Sequence, residues 1–230
     1  LVFNLRRNKL FTLLTVVGLS FGICVVLLAS LYWKQEHAYD QWNPDKDLIY
    51  EVLMDMGENK VWSANVGPLA NQMKESSSDI VDYLYYRSWP YSYSCHINGE
   101  MKTFDATLVQ GNFFDFFPFD IVKGNTHNFT KKNNSIALSE EEAVRLFGKE
   151  NPIGKLISNE ENNTYVVTTV YKIKSPSSFT PTAIINDLDI NENDWNNFNY
   201  QLLIKIKDPT AIANLMAIST GIVQKNLVEA

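Results

Sequence analysis

The residues of this chain that could bind a metal are scattered along the sequence. His37, His96 and His127 stand alone and form no His-x-x-x-His pair. The two cysteines, Cys24 and Cys95, form no Cys-x-x-Cys pair, and two are too few to staple a domain of this size. Close pairs of this kind are typical of zinc sites. We therefore predict that the three histidines are surface or structural residues and that the fold rests on its core rather than on disulfides.

Three short motifs begin like ligand-binding signatures but lack their essential residues. Residues 187–198 open with Asp-x-Asp-x-Asn like a calcium loop, but Glu192 and Phe198 occupy the positions of its glycine and its bidentate glutamate. Residues 148–149 and 154–155 are Gly-Lys pairs, but neither has the glycine five residues earlier that a Walker A loop needs. We therefore predict no catalytic, cofactor-binding or metal-binding residues, no cofactor, and no enzymatic activity.

The charge distribution excludes a nucleic-acid partner. The chain has 20 basic and 26 acidic side chains, for a net charge of -6. Residues 1–33 hold three of the cations and no acidic residue, so the remaining residues carry a net charge of -9. A nucleic-acid-binding surface would require a basic patch instead.

Residues 10–33 form an uninterrupted uncharged stretch that predicts a membrane helix. At the rise of an α-helix this stretch would be about 36 Å long, against roughly 30 Å of bilayer hydrocarbon. Tyr32 and Trp33 stand where an interfacial aromatic belt would lie. A cleaved signal peptide is the alternative, but its apolar core is shorter and ends in a small-residue cleavage site. A buried helix of a soluble protein is disfavoured because no polar stripe interrupts the run.

The residues that flank the apolar stretch predict its orientation. Arg6, Arg7 and Lys9 precede it within residues 1–9, and no excess of cations follows it. The positive-inside rule then places this basic lead-in in the cytoplasm. Residues 34–230 are accordingly predicted to be extracytoplasmic.

Beyond the apolar stretch the hydrophobic pattern predicts a mixed α/β domain. Asn98-Gly99 is the dipeptide that a two-residue hairpin turn favours, because both central residues need a positive φ. Residues 175–199, between the last two predicted strands, are rich in Asn, Asp, Pro and Ser and are predicted to form a mobile loop. The periodicity predicts strands at 48–56, 80–86, 165–171 and 200–207, and helices at 66–74, 139–148 and 208–223.

Two local features of this domain are especially clear. Residues 113–119 contain five phenylalanines and predict a buried aromatic core. Ser139 lies outside any Gly-x-Ser-x-Gly elbow and instead predicts a helix N-cap, with Glu142 reaching back to complete a capping box. Gly148 then stands where the C-terminal cap should fall, and the apolar face of this helix is predicted to be Ala143, Val144, Leu146 and Phe147.

Taken in order, these residues resemble a known family. The match covers essentially the whole chain, and its most specific part is the run Ser-Glu-Glu-x-Ala-x-x-x-Phe-Gly-x-x-Asn-Pro-Ile-Gly-Lys at 139–155. The chain resembles the MacB/FtsX-like permease subunits of bacterial ABC transporters, specifically their first membrane helix and MacB-type periplasmic core domain. Other matching segments are 6–10, 39–40, 49–52, 68–70, 113–114, 117–119, 124 and 134–138.

The resemblance implies a fold and a set of partners. The fold class would be α+β, with one transmembrane helix at 10–33 and a periplasmic core domain at 34–230. That domain would contain a porter-like subdomain made from both its ends and an inserted subdomain around the hairpin at 98–99. The chain would act in the bacterial inner membrane as a permease dimer with a separate ABC ATPase, and with a periplasmic adaptor or substrate protein. The domain would relay ATP-driven motion across the membrane for export or extraction of a substrate.

The sequence departs from the family in its length. A complete permease has three further membrane helices after the ectodomain, so we expect this chain to be the N-terminal part of one. A membrane-anchored sensory or ligand-binding ectodomain is the alternative, and the sequence downstream would separate the two. A secreted enzyme behind an uncleaved signal is disfavoured because the sequence shows no nucleophile, metal or acid/base constellation.

Overall fold

The structure is a computed structural model that describes residues 9–57, 60–97, 99–131, 134–159 and 163–228. It divides into two compact units, Leu1–Gln41 and Trp42–Ala230. Residues 1–8, most of the predicted cytoplasmic lead-in, lie outside the described residues.

The first unit is dominated by the helix α1, Lys9–Glu36. In the described ranges it is the one helix long and apolar enough to cross a membrane, and none of its residues is buried. The hydroxyls of Thr15, Ser20 and Ser30 each donate to the carbonyl four residues earlier. Such bonds satisfy polar side chains inside an apolar helix. The predicted N-terminal apolar helix is therefore confirmed, and it extends one residue before and three residues after 10–33.

The second unit is built on a mixed sheet. The helices are α2 (Pro68–Ser76), α3 (Phe113–Phe116), α4 (Thr126–Lys131), α5 (Glu140–Phe147) and α6 (Ile212–Val223), with 3-10 turns at Lys46–Leu48 and Pro209–Ala211 and a π-helical turn at Gln224–Val228. The strands are β1 (Ile49–Glu51), β2 (Met54–Asp55), β3 (Val61–Trp62), β4 (Ile80–Tyr86), β5 (Tyr91–Ile97), β6 (Glu100–Gln110), β7 (Asp120–Gly124), β8 (Ser135–Ser139), β9 (Leu156–Ser158), β10 (Thr164–Lys172), β11 (Ala183–Asn186) and β12 (Gln201–Ile206).

Ten of these strands form one sheet in the described part of the unit. Their order is β1-β12-β4-β6-β11-β8-β10-β7, with β5 also paired to β6 and β9 to β10. β2 and β3 form a separate two-stranded ribbon. Strands from both ends of the unit meet at one side, because β1 pairs with β12 and β12 pairs with β4. The predicted α+β class, an apolar N-terminal helix followed by a mixed-sheet domain, is confirmed. The exact domain bounds at 10–33 and 34–230 stay a prediction.

Strands β4 and β12 carry separate cores on their two faces. On β12 the alternate residues Leu202, Ile204 and Ile206 are buried beneath helices α2 and α6, on what we call the helix face. Leu203 points the other way, towards a phenylalanine cluster. This cluster consists of Phe113, Phe114, Phe116, Phe117 and Phe119 with Phe129 and Tyr171, all of them buried. The prediction that residues 113–119 form a core is confirmed.

A third core lies under α5, the helix with the clearest sequence signals. The Ser139 side chain accepts from the Glu142 backbone N–H, as predicted, and Gly148 follows the helix with a φ of 63°. The predicted reach of Glu142 back to Ser139 is wrong. Ser139 ends β8, so its N–H already donates to the Thr182 carbonyl, and the Glu142 carboxylate bonds Arg145 instead. Val144, predicted on the apolar face, is exposed.

Two other predictions about secondary structure are corrected. The predicted strand at 48–56 is broken into a 3-10 turn, β1 and β2, because the chain leaves the sheet after Glu51. The predicted mobile loop at 175–199 contains β11, whose four residues are all buried between β6 and β8. Its Ala-Ile-Ile-Asn sequence is too short to stand out among the flanking polar residues.

The predicted hairpin is present as the antiparallel pair β5 and β6, which ends at Ile97 opposite Glu100. Gly99 has a φ of 82°, whereas Asn98 lies outside the described residues. Cys24 and Cys95 are both free thiols, as the sequence predicted.

Candidate functional site

The second unit begins with a short segment, residues 42–48, that we call the attachment segment. It precedes β1 and follows the first unit directly in the chain. The segment lacks strand or α-helix hydrogen bonds of its own apart from the 3-10 turn at Lys46–Leu48. Its position is therefore set by side-chain contacts with the rest of the unit.

Asn43 makes the most buried of these contacts. Its side chain is 3% exposed, and its amide nitrogen donates to the Phe116 carbonyl at 2.8 Å. Its amide oxygen accepts from the Asp45 N–H at 3.0 Å. Phe116 is the last residue of α3, where a helix leaves carbonyls without partners inside the helix. Asn43 thus caps α3 from a position far away in the sequence.

Lys205 of β12 strengthens the same junction. Its ammonium lies 2.6 Å from Asp45 Oδ2 and donates to the Asp115 carbonyl at 3.1 Å, so it also satisfies the last turn of α3. The Lys205 side chain is only 17% exposed, and a charge-assisted bond in such a position is stronger than a surface ion pair. One cation therefore ties together the attachment segment, α3 and β12.

Trp42 fixes the start of the segment on the phenylalanine cluster. Its indole N–H donates to the Pro176 carbonyl at 3.1 Å, and its ring centroid is 5.2 Å from that of Phe119. The Lys174 ammonium lies 5.5 Å from the Trp42 ring centroid, within cation–π range. The first residues of this unit are consequently held by its largest aromatic core rather than by a flexible linker.

The helix face presents a different kind of surface. An apolar groove runs between residues 50–54 and helix α6, in two adjoining parts of about 270 and 490 Å³. Leu53, Met56 and Met216 are exposed beside it, as are Val61 and Trp62 of the β2–β3 ribbon. Exposed apolar side chains grouped in this way are typical of a surface that another molecule covers.

Glu51 lies at the edge of this groove. Burial raises the pKa of its carboxyl group, and a hydrogen bond from the Tyr86 hydroxyl at 3.5 Å partly offsets that rise. Glu51 pairs with Leu203 and bonds Tyr86, both of which pack on the phenylalanine cluster, so its carboxylate lies on that face of the sheet and not in the groove.

The residues considered for chemistry in the sequence are not brought together. His37, His96 and His127 are all exposed, and they lie on different elements. Asp187 and Asp189 follow β11, and Ser139 serves as the N-cap of α5. Within the described ranges no group of three or more His, Cys, Asp or Glu side chains could hold a metal ion. Sequence reasoning missed Asn43 and Lys205, because their partners are distant in the chain and neither lies in a motif.

The fold is a mixed-sheet domain that follows one candidate membrane helix and is assembled from strands at both its ends. The sequence profile of the MacB-like periplasmic core domain matches residues 12–220. The chain therefore belongs to this family, whose members are components of ABC-type transporters, and the resemblance seen in the sequence is confirmed. No curated relative matches the chain in sequence.

Solved structures share the fold at low sequence identity. A domain from Porphyromonas gingivalis described as part of a permease superposes with a TM-score of 0.63 at 15% identity, covering 77% of this chain and 85% of that one. The periplasmic region of MacB from Actinobacillus actinomycetemcomitans gives 0.53 at 14% identity, with 77% and 81% covered. The extracellular domain of the noncanonical ABC-type transporter YknZ from Gram-positive bacteria also gives 0.53 at 14% identity, with 77% and 92% covered.

Proposed function

We propose that this MacB-like periplasmic domain is a mechanical relay in an ABC transporter permease. A separate ABC ATPase would supply the motion, α1 would carry it through the membrane, and the domain would deliver it to a substrate or partner protein outside. The domain would perform no chemistry of its own. The observation that carries the proposal is the Asn43 bond to Phe116, because it fixes the segment next to the membrane helix in the chain onto the aromatic core.

A relay requires that force applied at one end moves the whole body. The attachment segment meets this requirement through three separate contacts, from Trp42 to Pro176, from Asn43 to Phe116 and from Asp45 to Lys205. Close-packed protein interiors transmit strain because they are hardly compressible. Movement of residue 42 would therefore displace the phenylalanine cluster and β12 together, instead of being absorbed by a loose linker.

We further propose that the chain acts as a permease dimer in the bacterial inner membrane, with its N-terminus in the cytoplasm. The charge asymmetry across α1 supports this orientation, because Arg6, Arg7 and Lys9 all precede the apolar stretch. A reporter that is active only outside the cytoplasm, fused after Ala38, should be active. Activity of a cytoplasm-only reporter at the same site would contradict the orientation.

The relay is tested by following motion instead of transport. In the complete permease assembled with its ATPase, a nitroxide label is placed at the exposed position 123 through Lys123→Cys, with Cys24→Ser to avoid a second label. Electron–electron distance measurements between the two copies are then made with and without ATP. The wild type should show an ATP-dependent change in distance. If ATP leaves the distances unchanged, the relay is wrong, whereas the absence of any dipolar signal would contradict the dimer.

Two variants with comparable losses of stability show where the motion enters the domain. Asn43→Ala removes the bond to Phe116 and should cost about 1 to 3 kcal/mol of unfolding free energy. Ser139→Ala removes the cap of α5 at a cost of about 1 kcal/mol and leaves the attachment segment intact. Asn43→Ala should reduce or broaden the ATP-dependent change while ATP hydrolysis continues, and Ser139→Ala should preserve it. Equal responses of the two variants would exclude the attachment segment as the transmission point.

A further inference from the structure

A polar cleft of about 380 Å³ opens beside the hairpin of β5 and β6, away from the attachment segment. Its walls come from the chain just after β4, from β5, β6 and β10, from residues 159 and 163 between β9 and β10, and from the residue that follows β11. The side chains that the argument needs are Arg87, Tyr91, Tyr93, Tyr165 and Asp187. The volume falls in the range of small-molecule sites, which is about 300 to 1,000 Å³.

One side of the cleft offers an incompletely used cation. The Nε atom of Arg87 is buried and has no hydrogen-bond partner among the described residues. The guanidinium donates to the Tyr91 hydroxyl and lies 5.2 Å from the centroid of that ring. No carboxylate of the described residues forms an ion pair with it. Arg87 therefore lines the cleft without a described carboxylate beside it, and a carboxylate is the group that matches a guanidinium best.

The other side of the cleft offers a carboxylate without a cation. Asp187 forms no ion pair with any described residue. Burial raises the pKa of its carboxyl group, and the neighbouring charge of Asp189 raises it further. No lysine or arginine contributes an opposing effect. A cation supplied from outside would stabilise the ionised form of Asp187.

The aromatic wall between these two groups is held rigidly. The Tyr93 ring stacks on Phe104, with centroids 5.5 Å apart and planes 20° from parallel. Tyr165 meets Tyr93 edge on, at 5.9 Å and 77°. Both arrangements are favourable for aromatic pairs. A ligand that binds here would therefore lose little free energy in ordering the site.

We propose that this cleft binds a small zwitterion, an amino acid or a short peptide, with its carboxylate at Arg87 and its ammonium group at Asp187. Each charged end of such a ligand meets a protein charge that forms no ion pair with another described residue. A neutral sugar would form an ion pair with neither Arg87 nor Asp187. A simple anion would pair with Arg87 but leave Asp187 without a cation. The inference is independent of the relay, because none of these residues belongs to the attachment segment.

The binding is measured by titration calorimetry on the full chain in detergent, with trialanine as the probe. Trialanine should bind saturably, and Arg87→Gln and Asp187→Asn should each weaken it about tenfold or more, the usual effect of losing a hydrogen bond to a charged group. Asp189→Asn is the matched control, since it makes the same charge change two residues away without lining this cleft. It should change the affinity by less than about threefold.

Blocked peptides give the same test without altering the protein. N-acetyl-trialanine and trialanine amide should each bind the wild type at least about tenfold more weakly than trialanine. N-acetylation should cost little further in Asp187→Asn, because the partner of the ammonium group is already gone. Equal binding of free and blocked peptides would overturn the proposal. If trialanine does not bind even at about 10 mM, a concentration far above the Kd of a useful ligand, the proposal is overturned as well.

Discussion

The two faces of strands β4 and β12 are covered in contrasting ways. On one face the phenylalanine cluster is closed, with every ring buried and the attachment segment bound across it. On the helix face α2 and α6 leave an apolar groove, and Met216 of α6 is 64% exposed. The difference indicates that the two faces have different roles. The closed face keeps the domain rigid, whereas the open face leaves apolar side chains available to another surface.

The largest expected effect is a difference in unfolding free energy between variants of the two faces. Phe113 is fully buried, and Phe113→Ala should lower the unfolding free energy by about 3 to 5 kcal/mol because it leaves a cavity among the rings. Met216→Ala should change it by less than about 0.5 kcal/mol. The measurement is denaturant unfolding of the full chain in detergent, followed by tryptophan fluorescence. Similar losses for the two variants would mean that the groove is as closed as the phenylalanine cluster.

A pair of tyrosine hydroxyls sharpens the comparison. The Tyr85 hydroxyl lies within 3.0 Å of the Val66 and Gly67 carbonyls and accepts from the Ala70 N–H, so a strand residue caps α2, whose N-cap glycine has no side chain. The Tyr171 hydroxyl donates to the Pro181 carbonyl at 2.6 Å.

Removal of these hydroxyls should therefore cost more on the helix face. We expect Tyr85→Phe to lower the unfolding free energy by about 1 to 3 kcal/mol, because the first turn of α2 loses an acceptor, and Tyr171→Phe by about 1 kcal/mol. The same unfolding assay measures both. A larger loss for Tyr171→Phe would show that the hydroxyl does not hold α2 on the sheet.

The smallest effect concerns pH at Glu51 of β1. Because the folded pKa of Glu51 is raised, folding favours its neutral form, and stability is lost as the pH rises through that pKa. Glu51→Gln should thus raise the melting temperature slightly at pH 7. The two proteins should melt alike near pH 3, where both side chains are neutral. A destabilised Glu51→Gln at pH 7 would mean that the ionised carboxylate is favourably bound beside Tyr86.

Local signals explain what the sequence could predict. The Ser139 cap, the pairing of β5 with β6 and the buried phenylalanines depend on residues close together in the chain, and the structure places them as expected. β11 was missed because its burial depends on β6 and β8, which lie far away in the sequence. Asn43 and Arg87 were missed for the same reason. An asparagine beside a proline predicts a turn, and nothing nearby reveals that it will cap a distant helix.

The pairing of β1 with β12 also constrains how the domain can be made. Ile49 lies opposite Lys205, so β1 leaves the ribosome early but cannot pair until β12, more than 150 residues later, has also been made. Contacts between such distant residues close slowly, because the entropy of a long loop must be lost first. Until residues 201–206 are synthesised, the edge of β4 that pairs with β12 is also uncovered. A ribosome stalled before this point would leave a chain with open strand edges, which is prone to aggregation and to proteolysis.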